Sequence, residues 1–287
     1  MLQLRITARD ADLGHGLKVR RVLPYAKRRS VGPFVFLDHA GPVSLPPEAV
    51  RGADVRPHPH IGLSTMSYLL SGQITHRDSL GVTQVIRPGE VNWMTAGRGI
   101  SHSERFEHPA SFEGGGLELM QFWVALPAED EECEPAFVHY GGEDLPEVEA
   151  PGLYCRVLAG EVMGRRSAVR TSSPLFCAHL RLAAGVSFRL DGRYAEQAVY
   201  VARGEIEHGG LAVPPGDLLV FDDDEEEFIA TQDSVLMLLG GEPLGPRHIF
   251  WNFVSSRPER IEQAKADWRA GRFALPPGDD QEFIPLP

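Results

Sequence analysis

The sequence predicts an all-β protein: two related β-barrels of the jelly-roll type, followed by one C-terminal helix. Three observations predict it. Short apolar runs, many of them β-branched or aromatic, recur between Gly, Pro and Asp punctuation along the 287 residues, which is the pattern of a sandwich or barrel. One half of the chain repeats the strand-and-turn order of the other. A single strong helix signal stands near the C-terminus.

Taken in order, strands are expected over residues 35–37, 65–70, 83–86, 91–94, 117–126, 178–182, 197–201, 217–221 and 235–239. The helix signal is Ser256-Arg257-Pro258-Glu259. It offers a serine N-cap, a first-turn proline and a capping-box glutamate. Ile261, Ala264 and Trp268 then fall at helical spacing, and Gly271 can close the helix.

The repeat reads SYLLSGQITH…IRPGEVNWM in its first copy and VYVARGEIEH…VPPGDLLVF in its second. Tyr68 meets Tyr200, Gly72 meets Gly204, Ile74 meets Ile206 and His76 meets His208. Pro88-Gly89-Glu90 meets Pro215-Gly216-Asp217 once a few residues are dropped from the second hairpin. Two domains are expected, 1–135 and 136–287, joined through the Glu- and Pro-rich stretch 129–151.

Net charge is −12. The acid concentrates in residues 129–134 and 222–227, which read as solvated loops or sheet edges. This balance argues against direct binding of nucleic acid, which needs basic surface to displace counterions. No apolar run reaches the ~18 residues of a membrane span, and MLQLRITARDADLGHG lacks the order of a signal peptide. A cytoplasmic location is expected. Cys133, Cys155 and Cys177 are far apart with no CxxC, so buried thiols are expected rather than disulfides or a zinc-thiolate site.

The chemistry gathers in two pairs of the same form, His58-Pro-His60 and His102-Ser-Glu104. In a strand, residues two apart point to one face. Two such strands facing a common interior supply three imidazoles and a carboxylate, a site for a first-row divalent metal with positions left open. The second copy places Leu190 against His58 and Gly192 against His60, and has no such pair. One barrel is expected to hold a metal and the other not. Gly97 and Gly99, in TAGRGISH, let the chain turn just before His102.

His76, in THRDSLG, is expected at a hairpin end with Asp78 and Gly81 shaping the loop; a role beside the metal or substrate is the alternative. His39 reads as structural, with a place at the mouth of the site as its alternative. His179, His208 and His248 lack paired partners and read as structural. Phe36, Met94, Met120, Phe122 and Trp123 are expected as plain core; if some point inward, they give the metal an apolar pocket suited to a flat aromatic ligand.

The strings HPHIGLSTMSYLLSGQITHRDSLG, VNWMTAGRGISHSE and NFVSSRPERIEQAKADWRAGRF resemble pirin and the bacterial pirin-like proteins. The resemblance implies a bicupin: an N-terminal cupin barrel with one metal, usually iron, and a degenerate C-terminal cupin barrel. It implies His58, His60, His102 and Glu104 as ligands, the same four that the spacing selects. Fe(II) is the expected ion, with Mn, Ni, Cu and Zn as alternatives. Some pirins act as quercetin 2,3-dioxygenases. The resemblance therefore implies cleavage of a flavonol-like aromatic substrate by O2, with Glu104 as ligand and catalytic base for the 3-hydroxyl proton. The alternative is a non-enzymatic, redox-sensitive metal-binding regulator that binds a protein partner; the acidic surface fits a protein better than DNA.

Overall fold

The structure is a computed structural model that describes residues 1–12, 17–44, 50–107 and 116–287. It is built almost wholly of antiparallel strands, and every expected strand is present. Apart from two short hairpins, the strands fall into two pairs of sheets with the same order. The first pair has a seven-stranded sheet in the order Ala136–Tyr140, Val91–Thr95, Leu63–Ser71, Leu117–Ala125, Phe34–Val43, Lys18–Leu23, Arg9–Asp12. Its four-stranded partner runs Val55–His60, Ile100–Arg105, Ile74–Asp78, Thr83–Ile86. The second seven-stranded sheet runs Leu2–Thr7, Asp217–Phe221, Glu196–Arg203, Ser234–Gly241, Leu175–Leu182, Leu153–Ala159, Glu147–Ala150. Its partner runs Ser187–Asp191, Glu225–Ala230, Ile206–His208, Leu211–Val213.

The repeat read from the sequence is therefore a repeat of topology. Tyr68 and Tyr200 both sit buried in equivalent strands. The sheets stay open, as two-layer jelly rolls, rather than closing into continuous barrels.

Each core lies where alternate residues of a seven-stranded and a four-stranded sheet meet. In the second, Phe176, Leu180, Val199, Val201, Leu219 and Leu238 meet Phe188, Leu190, Ile206 and Phe228. In the first, Leu69, Leu117 and Leu119 meet Ile74 and Ile86. At about 25 cal/mol per Å² of apolar surface, burial of this kind is what offsets the entropy of ordering the strands. Cys155 and Cys177 are buried free thiols and Cys133 is a half-buried one. Burial pushes the Cys155 thiol up to about 12.

The chain groups into two compact units, each drawn from three segments. One holds Met1–Asp10, Arg20–Leu37 and Glu143–Leu244; the other holds Ala11–Val19, Asp38–Gly142 and Gly245–Pro287. This grouping differs from a linear cut at 135. Leu2–Thr7 pairs antiparallel with Asp217–Phe221 and so joins the unit made mostly of the second copy. The C-terminal segment joins the unit that carries the histidine pairs, where Ile261, Ala264 and Trp268 bury against Ile61 and Phe253.

The C-terminal helix, Pro258–Arg269, has proline at its first turn and the expected buried face. Gly271 follows it at φ +65°. The expected serine cap is corrected. Arg257 is the N-cap and makes no side-chain cap bond, while the Ser256 hydroxyl donates to Glu131. Glu131 is also an exception to the solvated acidic run. It is buried, accepts from Ser255 Oγ and Ser256 N, and pairs with Arg247 at 3.2 Å. A buried carboxylate needs such partners, and that need outranks helix capping here. No helix of the described residues is long and apolar enough to cross a membrane.

Candidate metal centre

Strand alternation puts His58 and His60 on one face of Val55–His60. Antiparallel register sets His58 directly opposite His102 and Ile100 opposite His60. All three imidazoles are buried. One ring nitrogen from each lies within 4.8 Å of the others.

The partners of the remaining ring nitrogens fix the tautomers. A carbonyl oxygen only accepts, so His58 Nδ1–H donates to Arg56 O at 2.9 Å and His60 Nδ1–H donates to Asn252 O at 3.1 Å. Their Nε2 atoms are left as lone pairs. His102 is held by a longer chain. His76 Nε2–H donates to Asp78 Oδ2 at 3.0 Å, which leaves His76 Nδ1 to accept from His102 Nδ1–H at 3.4 Å. So all three Nε2 lone pairs are presented inward, and His60 Nε2 lies 3.1 Å from His102 Nε2. Two lone pairs that close repel each other; a shared cation removes the repulsion.

The electrostatics fit the same ion. Desolvation by burial lowers the His58 pKa to about 4 and holds His60 and His102 well below the usual imidazole range. All three are neutral at pH 7, the form that binds metal. Desolvation raises Glu104 to about 7. Its carboxylate is half-buried and has no hydrogen bond or ion pair to any described residue. A cation nearby is what such a group lacks, so the donor set fits a divalent metal.

Glu104 is not in the cluster of three. It follows His102 on Ile100–Arg105, opposite His76 on one side and Val55 on the other. The register with Val55–His60 slips between His102 and Glu104: Ser103 alone there opposes Arg56 and Pro57. Pro57 sits in that bulge, where its missing N–H costs no ladder bond.

Trp123 packs edge-on against His60, with ring centroids 5.2 Å apart. Phe36, Met94, Met120 and Phe122 are buried core. His39 is fully buried with Nε2 3.0 Å from Glu118 Oε1 and is not part of the cluster. Gly97 is required where it stands. It has φ +51°, and a Cβ would meet the Cys133 carbonyl oxygen at 2.1 Å.

For His76 the structure favours the alternative over the turn reading. It is buried within Ile74–Asp78, not at the loop, and it stacks on Phe137 at 4.4 Å. Asp78 does shape the turn, accepting from Leu80 N and Val82 N through Oδ1. The signal was present: His76-Arg77-Asp78 is a third pair with the spacing of the other two. The Asn252 carbonyl had no such signal, because a backbone acceptor can belong to any residue.

Among the described residues, no second group of three His, Cys, Asp or Glu side chains converges in this way. A physical reason lies at Gly192, the counterpart of His60. Its φ is +65°, and a Cβ there would meet the Asp223 carbonyl oxygen at 2.4 Å. No histidine fits.

Two jelly rolls of matched topology, one of them carrying a buried imidazole cluster, define a bicupin. The chain belongs to the pirin family: residues 16–124 match the Pirin model and residues 177–274 match the Pirin C-terminal cupin domain. A pirin-like protein of Caulobacter vibrioides is 54% identical over 289 residues, spanning 100% of both chains. The crystal structure of a quercetin 2,3-dioxygenase from Acinetobacter baumannii is similar with a TM-score of 0.90 at 35% identity, covering 99% of this chain and 94% of that one. A bacterial pirin from Escherichia coli, solved in complex with nickel(II), shares the fold with a TM-score of 0.64 at 20% identity, covering 84% of this chain and 99% of that one.

Proposed function

We propose that the protein is a metal-dependent dioxygenase of the pirin type that cleaves quercetin-like flavonols with O2. The observation that carries this reading is the set of three neutral, inward-facing imidazoles, with the Glu104 carboxylate, of raised pKa and without a partner among the described residues, two positions after His102 on the same strand. His58, His60, His102 and Glu104 would hold the ion, with iron favoured on family resemblance. A bound divalent metal supplies Lewis acidity to the substrate's hydroxyl and carbonyl oxygens and access to O2.

The chain's own residues do the rest. Glu104 accepts the 3-hydroxyl proton through the carboxylate oxygen that the ion would leave free. The substrate is left as an electron-rich enolate. Both atoms of O2 then enter the product as the central ring opens, and one ring carbon leaves as carbon monoxide. His76 and Asp78 hold His102 in its binding tautomer, and Trp123 gives the site an apolar aromatic wall beside His60.

The test is the rate of flavonol loss per bound metal, in air and under nitrogen, for protein loaded with Fe, Mn, Ni, Cu or Zn. Loss only in air is expected, with Glu104→Gln slower by more than its metal content explains. No oxygen-dependent loss with any of these ions would favour the redox-sensitive binding protein. Undiminished turnover by metal-loaded Glu104→Gln would keep the enzyme and remove its base.

A further inference from the structure

His102 and Glu104 use one face of Ile100–Arg105, and Ser101, Ser103 and Arg105 use the other. That second face points away from the imidazoles, yet all three residues on it are buried. The segment after the helix, residues 272–287, covers them. Ser101 Oγ donates to Ala274 O at 2.5 Å, and Ser103 Oγ donates to Asp279 Oδ2 at 2.6 Å. The Arg105 guanidinium holds the same carboxylate twice, Nε to Oδ2 at 2.8 Å and Nη2 to Oδ1 at 2.5 Å. Its Nη1 lies 3.1 Å from Glu282 and 3.2 Å from Asp54. A two-pronged pair this far removed from water is stronger than a surface ion pair.

The same segment holds the partner strand, and does so at the bulge. Ser103 stands alone opposite Arg56 and Pro57. The Pro57 carbonyl accepts from Ile284 N–H at 2.8 Å. Both sides of the bulge are thus tied to one segment, Ser103 through Asp279 and Pro57 through Ile284. The bulge separates His102, opposite His58, from Glu104, opposite Val55. A slip in register at such a point turns side chains to the other face. The segment is itself anchored. Trp268 Nε1–H donates to Ile284 O at 3.0 Å, and Phe273 lies so close to Gly99 that a Cβ there would meet its ring at 2.9 Å.

The second copy supplies the comparison. Its counterpart strands, Ser187–Asp191 and Glu225–Ala230, stand in the same order. On their outer face Ser187, Arg189, Asp191, Glu225, Glu227 and Ile229 are exposed. This face is left to solvent where there are no imidazoles and is covered where there are.

We propose that residues 272–287 form a clasp on the metal centre, with Asp279 as its positioning residue. The clasp keeps the bulge in the register that aims His58 and His102 at one ion, so its closure and occupancy by the metal strengthen each other. The inference rests on the metal centre and is independent of the flavonol chemistry. Asp279 acts through Ser103, which lies between His102 and Glu104, and through Arg105, which follows Glu104. Coupling of this kind is reciprocal: the factor by which a closed clasp tightens the ion is the factor by which the ion tightens the clasp.

Two readings on the full-length protein test this with Ni(II) as the probe. One is affinity by chelator competition. The other is hydrogen exchange of single amides by mass spectrometry, metal-free and loaded. The Ile284 amide reports closure, because it is released to exchange when the clasp lets go of Pro57 O. In the parent, Ni(II) should slow Ile284 exchange at least about fivefold, the low end of coupling between sites. It should leave unchanged the Ala183 amide, which donates to Gly152 O in the other unit. Asp279→Ala should weaken Ni(II) binding by a comparable factor, and its Ile284 exchange should no longer respond to the ion. Asp280→Ala, at the exposed neighbour, should behave as the parent. If Asp279→Ala does not fold, Ile284 exchange in the parent still decides. Equal Ni(II) affinity in folded Asp279→Ala would overturn the proposal. So would Ile284 exchange that ignores the ion, or equal slowing of Ala183, which would make the ion a stabiliser of the whole fold. A parent that binds neither Ni(II) nor Fe(II) would instead remove the metal centre, and the clasp's role with it.

Discussion

At the scale of single residues, the centre depends on proton positions as much as on ligand identity. His102 offers Nε2 because His76 accepts from its Nδ1–H, and His76 can accept because Asp78 takes its other proton. Partners of this kind typically set metal affinity by 10–100-fold. His76→Ala is therefore expected to weaken metal binding by about that factor in chelator competition, while His179→Ala leaves it unchanged. Equal affinity in His76→Ala would show that the chain of bonds does nothing. Glu104 and His58 set the pH dependence. Glu104 is raised from 4.5 to about 7, so the metal-free fold is favoured by its bound proton below 4.5 and loses that stabilisation as pH rises through 7. His58 is lowered from 6.5 to about 4, so its contribution is full above 6.5 and is lost as pH falls through 4. A metal must displace the Glu104 proton if the carboxylate binds. Affinity should fall by up to about tenfold per pH unit as pH drops below 7, and a flat titration by calorimetry would remove Glu104 from the ligand set. Period-two spacing made the histidine pairs legible in the sequence. Glu104 lies outside the cluster of three, past a bulge in the partner strand that leaves no mark on Ile100–Arg105 itself. His76 was obscured because Asp78 and Gly81 are genuine turn residues, and one carboxylate serves both the turn and the histidine.

At the scale of elements, two local features hold the His102 strand and its surroundings. The turn before Ile100–Arg105 passes so close to Cys133 that Gly97 has no substitute. Gly97→Ala is expected to cost about 1–3 kcal/mol and to lower metal content with it, read by thermal melting and metal analysis on one sample. Unchanged melting would mean that the turn relaxes freely. The C-terminal helix is held by Trp268, which is 5% exposed and whose Nε1–H donates to Ile284 O at 3.0 Å. Trp268→Ala should destabilise by about 3–5 kcal/mol, measured by denaturant unfolding. The helix and its buried face were legible because helical periodicity is a local property. Its cap was not, because Ser256 is claimed by Glu131, a residue 125 positions away. The same distant carboxylate turned part of an apparently solvated acidic run into an anchor.

At the scale of the whole molecule, one architecture is used twice with different contents. The repeat was legible because paired tyrosines and Pro-Gly turns recur at near-constant offsets. The grouping of the chain was less so, since the pairing of Leu2–Thr7 with Asp217–Phe221 joins residues far apart in sequence. A single metal per chain follows from the repeat, because the second copy has Leu190 and Gly192 where the first has His58 and His60. Binding only to the folded state adds about 2.7 kcal/mol at a free metal concentration of 100 Kd. Chelation should lower the melting temperature accordingly, and it should do so only where the imidazoles are intact. The centre depends on those imidazoles, so the most direct measurement is metal content by plasma mass spectrometry. It compares the parent chain, the double variant His58→Ala/His60→Ala, and His179→Ala, all loaded and desalted alike. One ion per chain is expected in the parent and in His179→Ala, and almost none in the double variant. Full loading of the double variant would contradict the assignment of these histidines as ligands.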